Sequence, residues 1–278
     1  MTAGVAPRVL VIEASQGLPR LALGELWAHR ELLGVLAGRD VKVRYRQTLL
    51  GAAWVLAQPL LGMLIFTTLF HRVARFAGPE GVPYALFVLG GLLPWNLIAA
   101  GVQGAGNSLI TGAHLVSKVW FPRLVLPLSA LLVALVDLGV AGLLLLGAMA
   151  FYARVPPPVA LLAPLAVALA AALALGVGLW LAALNVRYRD VRVLIPFLLQ
   201  IWMYATPVAY PVDVLPETLR ALASWNPATG AVEAFRAALL GTPVDARAVG
   251  LSVALTTLIA TSGAYAFRRA ERSLADLL

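Results

Sequence analysis

The side chains in this 278-residue chain that could act as acids, bases, nucleophiles or metal ligands are few and scattered. His29, His71 and His114 fall in three separate connections between apolar runs, with His71 expected on the opposite side from the other two, so the spacing offers no shared metal site. With no cysteine, thiolate metal centres, disulfides and cysteine nucleophiles are excluded together. The chain contains no H-E-x-x-H, no G-x-S-x-G and no G-x-x-x-x-G-K-[ST] to cradle nucleotide phosphates. What remains is Asp137, the one full charge inside a long apolar run. An ionised carboxylate at the bilayer centre costs about 2.5–3.5 kcal/mol on insertion scales, so Asp137 is either an intramembrane functional acid or a hydrogen-bonded helix-packing residue. A lone acid is not a catalytic dyad, and the sequence predicts no catalytic residue.

The elements that must position these groups are six apolar runs, at residues 51–70, 84–106, 124–151, 159–184, 193–210 and 248–267. About 20 apolar residues cross the roughly 30 Å hydrocarbon core as a helix. With 61% hydrophobic residues, 12% charged residues and a mean hydropathy of +0.89, the composition lies far from that of soluble domains, where about a quarter of residues are charged. The sequence therefore predicts an all-α integral membrane protein with six transmembrane helices. The net charge of +8 does not point to nucleic acid, because the basic residues flank the runs instead of forming one patch with interleaved aromatics.

Those flanking charges orient the chain. One side collects Arg30, Arg39, Lys42, Arg44, Arg46, Lys118, Arg123, Arg187, Arg189, Arg192, Arg268, Arg269 and Arg272, and the other receives Arg72, Arg75, Arg154, Arg220, Arg236 and Arg247. Under the positive-inside rule the first side is cytoplasmic, and an even number of spans puts both termini there. The first twenty residues lack the apolar core and cleavage site of a signal peptide, so the N-terminus is expected to stay where it is made. We divide the chain into an N-terminal tail at 1–20, an amphipathic interface helix at 21–46 and a six-span transmembrane domain at 47–278.

Two connections are too apolar to be plain linkers. Residues 108–123 carry Leu109, Ile110, Leu115, Val116, Val119, Trp120 and Phe121 on the cytoplasmic side. Residues 211–247, on the outer side, contain Asn226-Pro227 and then Val232, Phe235, Leu239 and Leu240, with Glu233 and Arg236 spaced to pair on one helix. That stretch is too short to cross, and it suits re-entrant helices buried against protein. Gln58-Pro59, Pro94, Gln103, Pro164, Pro196, Gln200 and Thr206-Pro207 interrupt the spans, and each proline frees a carbonyl that must find another donor. Kinked spans around a polar pathway and ordinary kinks in a packed bundle fit these interruptions equally.

Read in order, several motifs resemble a known family. Arg39-Asp40-Val41-Lys42-Val43-Arg44-Tyr45-Arg46-Gln47-Thr48 through Trp54 to Gln58-Pro59 is similar to the N-terminal signature of ABC-type polysaccharide and polyol-phosphate export permeases. Gly91-Leu92-Leu93-Pro94-Trp95 resembles their second-span motif, and Leu115 to Arg123 their cytoplasmic coupling segment. Arg187-Tyr188-Arg189-Asp190-Val191, Ala205-Thr206-Pro207-Val208, Asn226-Pro227 and Glu233-Ala234-Phe235-Arg236 resemble their fifth span and outer re-entrant region.

The resemblance implies a half-transporter that pairs with itself as a homodimer and with two copies of a separate ATPase subunit. ATP and Mg would be bound by that partner, and no cofactor by this chain. The substrate implied is a lipid-linked polysaccharide, O-antigen first, moved outward across the bacterial inner membrane; a lipid, drug or teichoic-acid exporter of the same architecture is the alternative. Ser117, Lys118, Trp120, Phe121, Pro122 and Arg123 would couple to the ATPase, the two aromatics offering it exposed surface. Pro207, Asn226, Pro227, Glu233 and Arg236 would form the outer gate. A polymer longer than the membrane needs a continuous conduit, and pyranose faces pack on aromatic rings, so Trp95, Trp202, Tyr204 and Tyr210 are its candidate lining. An aromatic belt at the membrane interface suits the same four residues equally well.

With no native cysteine, single cysteines report the topology cleanly. A cysteine at Ala113 is expected to resist an impermeant thiol reagent in intact cells and to react in inverted vesicles; labelling from outside would overturn the orientation.

Overall fold

The computed structural model describes residues 23–46, 52–76, 78–116, 118–188 and 190–277; the tail at 1–20, Ser117 and Arg189 lie outside the described residues. The described residues are helical, and the helices in chain order are α1 (Leu23–Ala28), α2 (Arg30–Arg46), α3 (Ala52–Phe66), α4 (Tyr84–Thr111), α5 (Ala113–Val116), α6 (Val125–Phe151), α7 (Ala163–Arg187), α8 (Val191–Ala205), α9 (Glu217–Ser224), α10 (Pro227–Leu240) and α11 (Ala246–Leu277). A π-helical stretch, Thr67–Val73, continues α3.

Among the described residues five helical segments are long and apolar enough to cross a membrane: Ala53–Val73, Tyr84–Thr111, Val125–Phe151, Pro158–Arg187 and Ala246–Glu271. The fifth run of the sequence is different. Its helix, α8, has 15 residues and ends at Ala205, because Thr206-Pro207 breaks the ladder; Pro207 has no N–H and forces the residue before it into an extended conformation. The interface helix is likewise two pieces, α1 and α2, and the coupling segment holds only the single turn α5.

α4 is the axis of the bundle. Every residue from Leu86 to Trp95 is buried, which is what an apolar surface all round a helix requires. α6 runs antiparallel to it, with Ala130 beside Gly104 and Leu126 beside Gly112, and α7 runs parallel to it, with Ala174 beside Gly101 and Leu181 beside Gly106. α11 lies parallel to α7, and the two approach to backbone contact: a Cβ on Gly176 would stand 2.7 Å from the Ala260 Cα, and one on Gly263 would collide with the Gly176 carbonyl.

One end of the bundle collects the basic connections. There Leu36, Leu109, Phe121, Leu124, Val125, Leu179, Ala182 and Phe267 form a single apolar cluster, joining α2, the ends of α4 and α7, the start of α6 and the C-terminal part of α11. At the far end Leu86, Leu89, Leu145, Met149, Ala166 and Phe235 pack together. Large apolar side chains elsewhere point outward, among them Leu143, Phe151, Leu165, Val193 and Phe197, each at least 60% exposed. Such a surface is a liability in water and the ordinary exterior of a protein in hydrocarbon.

Candidate functional site

The break at the end of α8 is where the predicted residues meet. An α-helix leaves its last four carbonyls without intrahelical partners, and here α8 stops against the bundle at an extended Thr206, after which the chain continues in turns. The carbonyls are satisfied one after another. Trp202 O accepts from the Thr206 hydroxyl at 2.8 Å, Met203 O from the Thr206 N–H at 3.2 Å, and Tyr204 O from the Tyr210 hydroxyl at 2.9 Å. Ala205 O accepts from the Asn226 amide at 3.3 Å, and Thr206 O from the Val208 N–H at 2.6 Å. The Arg236 guanidinium donates to Pro207 O at 2.8 Å and to Val208 O, and the Tyr84 hydroxyl donates to Ala209 O at 2.5 Å.

α10 and its cap supply three of these bonds, one from Asn226 and two from Arg236. Asn226 caps it, accepting from the Ala228 N–H at 3.1 Å, and Pro227 follows at the first helical position, where its missing N–H costs nothing. The same Asn226 oxygen accepts from Trp202 Nε1 at 2.8 Å, while its nitrogen also donates to the Thr206 hydroxyl at 2.9 Å. Gly241, at φ 70°, closes the helix in the left-handed conformation that glycine adopts without strain.

Arg236 is 2% exposed. Its Nε donates to Phe87 O at 3.0 Å and its guanidinium carbon lies 3.8 Å from the Phe87 ring centroid, so one side chain joins α10, α4 and the turns after α8. Gly91 makes the room: a Cβ there would collide with the guanidinium and with Val208 O. The guanidinium thus turns to backbone carbonyls instead of pairing with Glu233 one turn away. Glu233 is half-buried, and burial pushes its carboxyl above the ordinary range, an effect that the nearby Arg236 charge opposes and Asp245 and Asp213 reinforce.

The structure therefore brings Pro207, Asn226, Pro227 and Arg236 into one clamp and sets Glu233 apart from it. Trp95 and Trp202 belong to the same assembly, edge to face with centroids 5.6 Å apart, and Trp95 is only 3% exposed. Tyr204 is 58% exposed and Tyr210 half-buried, so among the four aromatics Tyr204 offers the most surface to a partner or ligand. Tyr84 and Thr206 complete the clamp. Sequence reasoning marked Thr206-Pro207 as an interruption but gave Thr206 no place in the gate, and it passed over Tyr84.

Asp137 is hydrogen-bonded. Arg44 Nη1 lies 2.9 Å from its Oδ2 and the Tyr45 hydroxyl donates to Oδ1 at 2.7 Å, so α2 is fastened to α6 by a carboxylate engaged on both oxygens. Nearby, Asn185 of α7, 2% exposed, donates to Gly106 O and Asn107 Oδ1, both at 3.0 Å, a polar bridge to α4 that no motif marked.

The coupling residues divide. Trp120 is 77% exposed with its ring against His29, whereas Phe121 is 8% exposed and packs into the apolar cluster of the basic end. Phe121 anchors the segment and, contrary to the sequence expectation, offers no exposed docking surface. Arg123 donates from its backbone N–H to the Glu271 carboxylate at 3.4 Å and from its guanidinium to the Glu271 carbonyl, and Glu271 also binds Arg268 at 2.8 Å.

The ABC-2 type transporter family model matches residues 31–240, a stretch that includes α2, the clamp and all of α10. The chain belongs to the ABC-2 type transporter family. It is 34% identical over 215 residues to the O-antigen export system permease protein RfbA of Myxococcus xanthus, covering 77% of this chain and 82% of the relative. It is 26% identical over 254 residues to the O-antigen export system permease protein RfbA of Klebsiella pneumoniae, covering 89% and 95%. The chain is thus a multi-pass membrane permease, a non-catalytic transmembrane subunit of an ABC transporter, and the family implies an ATPase partner.

Replacing Arg236 by Ala removes the donors of three carbonyls in a buried setting. A loss of at least about 3 kcal/mol is expected, read as a large fall in the thermal midpoint of the purified permease. Arg236→Lys should restore only part of it, since one ammonium cannot reproduce the planar fork.

Proposed function

We propose that this permease moves a lipid-linked polysaccharide, O-antigen in the first instance, outward across the bacterial inner membrane through a conduit formed by a homodimer. The single observation that carries this reading is the similarity to two O-antigen export permeases over most of the chain. ATP and Mg are bound by two copies of a separate ATPase subunit, which supplies the energy.

The chain crosses the membrane six times, with both termini and the basic end in the cytoplasm. Support comes from the contacts of α8 and the turns that continue it. Ile195 lies beside Gly106, Trp202 beside Trp95, Val208 beside Gly91 and Ala209 against Tyr84, so residues 195–209 descend α4 antiparallel along nearly its whole length. Fifteen helical residues cover about 22 Å, and the turns of residues 206–210 carry the chain on past Gly91 to Tyr84 at the start of α4.

α1 and α2 act as the interface helix at the cytoplasmic surface. Lys118 and Trp120 dock on the ATPase beside Ser117, while Phe121, Pro122 and Arg123 hold the segment in shape. α9 and α10 are re-entrant elements at the outer mouth, and the clamp is the outer gate: α10 moves with the chain segment it holds. Tyr204 presents its ring to the sugar, backed by Trp202, Trp95 and Tyr210.

Trp120→Ala is expected to lower ATPase recovery with the purified permease and export-coupled ATP hydrolysis, with the thermal midpoint unchanged. Normal values of both would remove the docking role. Thr206 and Asn226 touch at 2.9 Å, so cysteines at the two positions can be joined. The joined transporter should stop exporting while the reduced form works; export by a fully joined transporter would show that the gate does not open between these residues.

A further inference from the structure

A polar groove separate from the clamp lies between α2, α4 and α6 at the basic end. Its cavity of about 360 Å³ is bordered by Arg39, Asp40 and Arg44 of α2, by Gln103, Asn107 and Thr111 of α4, and by Ser129 of α6. Gln103, Asn107 and Thr111 stand four residues apart and therefore form one stripe on an otherwise apolar helix. A second cavity of about 200 Å³ continues from it, sharing Arg44 and Gln103 and reaching Gln58, Asn96 and Asp137.

Two of the stripe residues are turned onto their own helix, Asn107 donating to Gln103 O and Thr111 to Asn107 O, each at 3.0 Å. The Gln103 side chain is exposed at the junction of the two cavities and has no hydrogen-bond partner among the described residues. Ala100, Gly104, Ala130 and Ala134 line the same space, and their small side chains keep it open. An amide presented in this way, in a protein whose exterior is apolar, is placed for a ligand.

The charges say which ligand. Arg39 spends Nε and Nη2 on one oxygen of Asp40, and a guanidinium has five N–H donors, so its fork can take a second acceptor. Arg44, half exposed, is held in place by Asp137. Lys42 and Arg46 lie exposed on the same helix, so α2 brings a positive potential to the groove while Asp40 and Asp137 neutralise part of it. Arginine forks match phosphate geometry, and amides and hydroxyls match the neighbouring headgroup oxygens. Basic helices beside membranes gain about 1 kcal/mol per Lys or Arg from anionic headgroups.

We propose that this groove binds the phosphate-bearing headgroup of a lipid from the adjacent leaflet, with Arg39 and Arg44 on the phosphate and Gln103 on the headgroup beyond it. The lipid's source is either an ordinary anionic phospholipid or a polyprenyl diphosphate carrier, and the second choice rests on the export function proposed above.

The test is native mass spectrometry of the purified full-length permease with three probes: phosphatidylglycerol, a polyprenyl diphosphate and a neutral glucosyl diacylglycerol. At least one phosphate lipid should bind about fivefold or more tightly than the neutral glycolipid. Arg39→Gln, at an exposed side chain, should remove most of that preference, Arg39→Lys should keep more of it, and Gln103→Ala should weaken binding of the preferred lipid. Preference for phosphatidylglycerol supports the phospholipid source and preference for the diphosphate supports the carrier. Equal binding of all three probes, a phosphate preference unchanged in Arg39→Gln, or binding unchanged in Gln103→Ala would overturn the site. Export is not the readout, so failure of the groove and failure of the proposed substrate are distinguishable.

Discussion

A carbonyl oxygen that loses its helical partner within hydrocarbon has no water to turn to, and leaving it unpaired costs several kcal/mol. That constraint governs the far half of this permease. Thr206-Pro207 ends α8 early, and the carbonyls of residues 202–209 must all be met from side chains or neighbouring turns. The placing of Asn226 at the start of α10, the burial of Arg236, the absence of a side chain at Gly91 and the position of Tyr84 at the start of α4 all answer this requirement. Remove the break and none of these choices has a reason.

A break of this kind is also the place where a membrane protein can move. A regular helix exchanges hydrogen bonds only with itself, whereas the segment after α8 owes its bonds to donors on α4 and α10, which shift as units. Arg236 is the node: it touches Phe87 on α4, Pro207 and Val208 after α8, and belongs to α10. Motion of any one of the three strands of structure must be shared with the others or exchanged for new partners. This gives a physical form to the gating proposed above.

The basic end is organised by a different balance. Phe121, Leu36 and Phe267 bring three distant parts of the chain into one apolar cluster, and the Arg44–Asp137 pair with Tyr45 fixes α2 along α6. The segment carrying Trp120 is therefore seated on α2, α6 and α11 together, and Glu271 ties Arg123 to the C-terminal helix. Under the docking proposed for Trp120, a push there would reach the packed helices instead of being lost in a slack loop.

Most of the spans were legible in the sequence, because hydrocarbon demands about 20 apolar residues per crossing. Five of the six runs became helices of crossing length, and the breaks at Thr206-Pro207 and Asn226-Pro227 marked the ends that needed donors. The partners of those ends were not legible. Arg236 and Phe87 are 149 residues apart, and Glu233 one turn away looked the natural partner; only packing in three dimensions put three carbonyls nearer than the carboxylate. Phe121 and Trp120 are adjacent and chemically alike, yet one is buried and the other exposed, because a turn faces consecutive side chains in different directions and the cluster had room for one. Composition and spacing act locally and were decided by the chain itself, whereas direction and burial depend on what arrives from elsewhere in the sequence.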